Sequence, residues 1–196
     1  MRKYSEACEQ NKDPILSVFR PLLKDNNNVL EIGSGTGQHA VYFSRHLPHV
    51  TWQPSDLVEN LSSIQAWIEE EQLSNIKPPI ELDARSHPWP ITVADVIFSA
   101  NTLHIMSWEM VEHFFKGVGE VLSDRGILFI YGPFSYQGKH TSQSNENFDR
   151  YLKQHDPSSG VRDFVEVNSL AEAQDLELIE DYAMPVNNRS LVWQKR

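Results

Sequence analysis

The sequence predicts an α/β domain with a seven-stranded, mostly parallel sheet, one antiparallel strand and helices on both faces. Short apolar runs alternate with segments whose apolar residues recur at helical spacing. A glycine string joins the first such run to the helix after it. The last two runs are joined by only a few residues, too few for a helical crossover, so one of them opposes the rest.

The elements follow in order. Asp13-Pro14 reads as an N-cap and first helical residue, with Ile15, Val18, Phe19, Leu22 and Leu23 on one face, and Asn26-Asn27-Asn28 ends this N-terminal helix region, 1–28. Strands are expected at Val29–Ile32, Val50–Gln53, Ile80–Leu82, Ala94–Ser99 and Ile127–Tyr131, the last after a turn at 123–126. Helices fall at Gln38–Leu47, through Leu57, Leu61, Ile64 and Ile68, and through Val111, Phe114, Phe115, Val118 and Leu122. Residues 132–168 are polar apart from a helical patch at Phe148, Tyr151 and Leu152, and read as a mobile insert or lid. Ser169 and Glu172 form a capping box for a short helix, before two strands at Leu176–Ala183 and Ser190–Gln194. No linker divides the 196 residues, so 1–196 is one domain.

A formal charge of -10 from 17 basic and 27 acidic residues suits neither nucleic acid nor an anionic membrane. The single cysteine, Cys8, excludes an internal disulfide and multi-cysteine metal sites and points to a reducing, cytoplasmic setting. No run approaches the roughly 18 apolar residues of a membrane helix. The histidines show no paired ligand spacing, so no metal is expected.

Glu31-Ile-Gly33-Ser34-Gly35-Thr-Gly37 lies between the first strand and the first crossover helix, at the sheet edge where doubly wound folds bind ligands. Glycines there permit a tight turn and close approach to the backbone. Two ligand classes fit, because Gly35-x-Gly37-x-x-Ala40 also satisfies a relaxed dinucleotide pattern. Charge separates them: Glu31 would repel a pyrophosphate and attract a cationic ligand.

This motif resembles that of the class I S-adenosylmethionine (SAM)-dependent methyltransferases, and the resemblance implies their Rossmann-like fold, SAM as cofactor and methyl transfer as activity. It implies that Glu31, Gly33, Ser34, Gly35 and Gly37 surround the methionine end. Asp56 with the adjoining Leu57 would hold the ribose, Asp83 and Ala84 the adenine, and Asn101 would border the cofactor at the fourth strand. A closer likeness, through Asn11–Leu16, Asp83–Arg85, Tyr131–Phe134 and Ser144-Asn145, is to a methyltransferase-like family of unknown function. It implies that Asn11 and Lys12, ahead of the first helix, fold over the cofactor, Lys12 pairing its carboxylate.

Methyl transfer needs alignment more than a catalytic signature, since the cofactor carries the reactivity. For a hydroxyl or protonated amine a base helps, and His104 in Asn101-Thr-Leu-His104 is the candidate. Tyr131, Phe134 and Tyr136 are candidate walls of an acceptor pocket, Trp89 a candidate adenine cover, and Asn145, Asp149, Asp156, Arg162 and Asp163 candidate polar contacts. The expected partner is a small polar acceptor. The alternatives are a non-catalytic SAM-binding protein and a nicotinamide-dependent oxidoreductase.

Overall fold

The computed structural model describes residues 2–24 and 27–196; Asn26, in the expected helix break, lies outside the described residues. The main sheet contains β1 (Asn28–Ile32), β2 (Thr51–Asp56), β3 (Ile80–Glu81), β4 (Ala94–Ala100) and β5 (Leu122–Gly132), with β9 (Leu176–Ala183) and β10 (Arg189–Lys195) from the chain end. Its order is β3-β2-β1-β4-β5-β10-β9. β1, β2, β3, β4 and β5 pair in parallel, while β10 is antiparallel to both β5 and β9. The single reversed strand follows from the short 184–188 connection.

Alternation along the central strands feeds two cores. Leu30, Ile97, Leu128, Ile130 and Leu191 pack beneath α4 (Trp108–Val121) and α6 (Phe164–Glu172). Val29, Val96, Phe98, Phe129 and Val192 pack beneath α1 (Glu6–Phe19) and α2 (Gln38–His46). Phe19, Phe43, Trp52, Phe98 and Phe129 form the aromatic centre of the second core, and Phe19 approaches Phe129 edge-on at 4.8 Å. α3 (Val58–Glu71) completes the β2–β3 crossover.

Three local expectations are corrected. α1 begins at Glu6 behind the N-cap Ser5, so Pro14 lies inside it and Asn11 and Lys12 are helical rather than preceding it. The buried face of Ile15, Leu16 and Phe19 carries the helix past the proline, and Asp13 accepts from the Tyr42 hydroxyl instead of capping. The pair Ser169 and Glu172 is no capping box: both lie in α6, whose N-cap is Asp163. The turn at 123–126 is absorbed into β5 as an irregularity, with Ala94 opposite Leu122 and Val96 opposite Ile127.

The 132–168 stretch carries β6 (Phe134–Tyr136), β7 (Lys139–His140), α5 (Gln143–His155) and β8 (Arg162–Asp163). The three strands form a small sheet of order β7-β6-β8. α5 buries Asn145, Asp149 and Leu152, and its N-cap Ser142 accepts from the Asn145 amide. No helix among the described residues is long and apolar enough to cross a membrane.

Candidate cofactor and acceptor site

A cavity of about 820 Å³ opens over the carboxyl ends of β1, β2, β4 and β5, within the roughly 300–1,000 Å³ range of small-molecule sites. The loop between β1 and α2 forms its floor. Gly33 and Ser34 donate their amides to the Ser55 carbonyl at 3.1 and 3.0 Å, tying the loop to β2. A Cβ on Gly33 would lie 2.6 Å from Thr102 Oγ1, so only glycine lets β1 and the chain after β4 approach this closely.

Asp56 ends β2 and faces the cavity, buried. Its Oδ2 accepts from Gly35 N at 2.6 Å, and its Oδ1 from Leu57 N and Asn60 Nδ2 at 2.7 and 2.8 Å. A carboxylate offers about four lone-pair sites. Three are taken, leaving Asp56 one acceptor position for a ligand.

Gly33, Ser34, Gly35, Asp56, Leu57, Ala84, Asn101, Asn11 and His104 all line the cavity, as does Tyr131. Four expected residues do not. Strand alternation puts Glu31 on the same face as Val29, against Trp52, whose Nε1 donates to it at 2.9 Å. Only 2% exposed and raised to about 7 chiefly by burial, this carboxyl meets no ligand surface, so the charge argument built on it is corrected. Gly37 is instead the left-handed N-cap of α2 and packs against α3, where an added Cβ would sit 2.8 Å from Ile64 Cα. Asp83 turns away and pairs with Arg85, which holds its carboxyl below the usual range. Lys12 is bonded to Glu9 and lies over the Tyr42 ring. Trp89 also belongs elsewhere, packed on Gly117 and Phe114 in the core.

Of the polar groups in the 132–168 stretch, Asn145 reaches the cavity and donates to the Asn187 carbonyl at 2.9 Å. Asp149 serves Lys153 and Val161 N, and the Arg162 guanidinium is spent on the carbonyls of Leu103, Met106 and Ser158. Asp156 and Asp163 cap turns and a helix start, Phe134 is core, and Tyr136 donates to Asp181.

His104 stands in the turn between β4 and α4, its ring edge-on to Phe148 at 5.3 Å. Among the described residues neither ring nitrogen has a hydrogen-bond partner in the protein. Burial, aided by Arg162, lowers it to about 4, so it is a neutral imidazole at pH 7 rather than a group titrating there. Sequence reading missed a second histidine in the wall: His39 Nε2 lies 2.6 Å from Asn11 Oδ1, both residues buried, and burial lowers His39 to about 4. Its place just after Gly37 was the available signal. Phe148, Asn188 and the loop residues Pro185 and Val186 also line the cavity, and Asn188 Nδ2 donates to the Tyr131 hydroxyl at 2.9 Å.

This sheet order, with its site over the strand ends, is the fold of SAM-dependent methyltransferases. SibL, a SAM-dependent methyltransferase, superposes with a TM-score of 0.81 at 16% identity, covering 96% of this chain and 55% of SibL. Human N-acetylserotonin methyltransferase in complex with SAM gives 0.80 at 15%, covering 97% and 53%. The chain thus spans little more than half the length of these two. YcgJ from Bacillus subtilis gives 0.74 at 16%, covering 96% of this chain and 99% of YcgJ. By sequence, residues 2–195 match the protein family of unknown function DUF938, and the chain belongs to that family.

Proposed function

We propose that the chain is a SAM-dependent methyltransferase acting on a small polar acceptor. The observation that carries this reading is the charge of the cavity wall: Asp56 and Glu59 contribute to it, and among the described residues no lysine or arginine does. A sulfonium and an ammonium are favoured beside carboxylates, whereas a diphosphate would enter without a counter-ion. The preference first drawn from Glu31 thus rests on Asp56 and Glu59 instead.

In this reading the Gly33–Gly35 backbone and Ser34 hold the methionine end, with Asn11 and Asn101 at its sides. Asp56 accepts one ribose hydroxyl, and Leu57, Leu82 and Ala84 bound the adenine. SAM supplies a methyl group on a positively charged sulfur that departs as a neutral thioether. The chain aligns the acceptor, excludes water and manages the acceptor's proton. His104, neutral and unpaired, is the group that receives it.

Titration calorimetry tests this: S-adenosylhomocysteine (SAH), the demethylated cofactor, is expected to bind and NADH to give no heat. NADH binding with no response to SAH overturns it.

A further inference from the structure

His104 stands in a turn, residues 103–106, that lies outside every helix and strand. The segment after α5 holds that turn from outside. Gly160 donates its amide to the His104 carbonyl at 2.9 Å. Arg162 Nε donates to the Leu103 carbonyl at 3.1 Å, and its Nη2 to the carbonyls of Met106 and, at 3.0 Å, Ser158. Arg162 is itself fixed: it sits in β8 opposite Phe134 of β6, and the neighbouring Val161 amide donates to Asp149 on α5 at 2.8 Å.

The partners of the guanidinium are all neutral, so it keeps its whole charge. Among the described residues it forms no ion pair; Asp149 on α5, the α5 C-cap Asp156 and Glu166 on α6 act on it at longer range. Burial first, and this charge second, oppose a proton on the His104 ring and lower it to about 4. A carboxylate in the same place would do the reverse and make the ring a stronger base. The ring therefore keeps its lone pair for a ligand, and its Nδ1 faces open space: a Cβ added to Gly132 would still be 3.8 Å from it. An acceptor oxygen giving up its proton there gains from the positive charge nearby. The arrangement needs a planar fork of donors. Lysine would keep the charge without spanning the carbonyls, and glutamine would keep an amide donor without the charge.

We infer that Arg162 is the positioning residue of the acceptor end: it fixes the turn that carries His104 and sets a positive charge beside the ring, so that the 132–168 stretch governs where His104 stands. The inference rests on the reading that His104 receives the acceptor's proton.

The test is nuclear magnetic resonance on the full chain, with two readouts. One is the titration of the His104 ring nitrogens between about pH 3.5 and pH 8, their signals identified by loss in His104→Gln. The other is solvent exchange of the Gly160 amide. In the parent the ring is expected to stay neutral down to about pH 5 and Gly160 to exchange slowly. In Arg162→Gln the His104 midpoint is expected to rise by at least about half a pH unit, while in Arg162→Lys it stays within about 0.3 of the parent. Gly160 exchange is expected to quicken about tenfold or more in both variants, since neither spans the carbonyls. An arginine with a merely structural role would quicken exchange but leave the midpoint alone or move it alike in both variants. A ring protonated at about pH 6 in the parent, an unmoved midpoint in Arg162→Gln folded by circular dichroism, equal shifts in the two variants, or unchanged Gly160 exchange overturns the inference. If Arg162→Gln does not fold, Arg162→Lys decides: a raised midpoint or unaltered exchange overturns it, and a retained midpoint with faster exchange supports it. SAH calorimetry on the parent tests the methyltransferase reading separately: absence of binding removes that reading, whatever the ring shows.

Discussion

The loop at the end of β1 and the wall formed by α5 and residues 185–188 face one cavity, yet they are held in different ways. The first is fixed by backbone: Gly33, Ser34 and Gly35 amides are bonded to Ser55 and Asp56, and the Gly37 amide donates to the Ser34 carbonyl. The second is assembled from side chains that meet across the chain, Asn145 on Asn187 and Asn188 on Tyr131, and it leaves His104 without a partner among the described residues. A site fixed by backbone holds its ligand at low reorganisation cost. A site fixed by side chains can change specificity one residue at a time. The cofactor half should therefore tolerate little substitution, and the acceptor half should be tunable without loss of cofactor affinity.

The sharpest way to break that contrast is Gly37→Ala. The new Cβ would be forced onto Ile64 backbone at a φ of 97°, so a loss of about 2–4 kcal/mol in stability is expected by urea unfolding, with SAH binding lost alongside. A variant as stable as the parent would show that the loop is not the rigid half. Asp56→Ala comes next: SAH affinity should fall by about 1–3 kcal/mol in calorimetry, because Gly35 and Asn60 lose their acceptor along with the ligand. On the other side, Phe148→Ala, which removes the ring packed on His104, should leave the SAH dissociation constant within twofold in calorimetry. A larger loss would merge the two halves into one.

Proton linkage gives a subtler test. Glu31 is raised from 4.5 to about 7, so between those values the unfolded chain has released a proton that the folded chain keeps; this stabilising contribution is complete below about 4.5 and lost as pH rises through about 7. His39 and His104 act oppositely, lowered from 6.5 to about 4: the unfolded chain takes up protons first, and stability falls as pH drops through that window. Glu31→Gln removes only the falling limb. Its urea midpoint should climb more steeply between about pH 5 and pH 7 than that of the parent, and an unaltered slope would mean that Glu31 is already ionised in the fold. The smallest effect is expected from Lys12→Ala, which loses a partly exposed ion pair with Glu9 and should change SAH affinity less than twofold.

How far the sequence could be read depended on how local each signal was. The strands and helices and the glycine loop were legible because apolar period and turn chemistry act over a few residues, and Gly33, Ser34, Gly35 and Asp56 line the cavity. Glu31 was misplaced because its direction depends on strand parity against Trp52, a residue 21 positions away. Asp83 was lost to its neighbour Arg85, and Lys12 to a helix start masked by Pro14. Ser5 as the true cap was available in the sequence, but the stronger Asp-Pro signal hid it.

The sequence by itself determined the alternating strands and helices, the one reversed strand and the bend after β1, since periodicity, a short connection and glycine's freedom are properties of neighbouring residues. Tertiary structure alone decided that the described residues of the wall include two carboxylates and no lysine or arginine, that His39 meets Asn11, and that His104 lines the cavity as a neutral imidazole with no hydrogen-bond partner among the described residues. Those properties depend on which distant side chains exclude water from one another, and burial of that kind is written in no single segment.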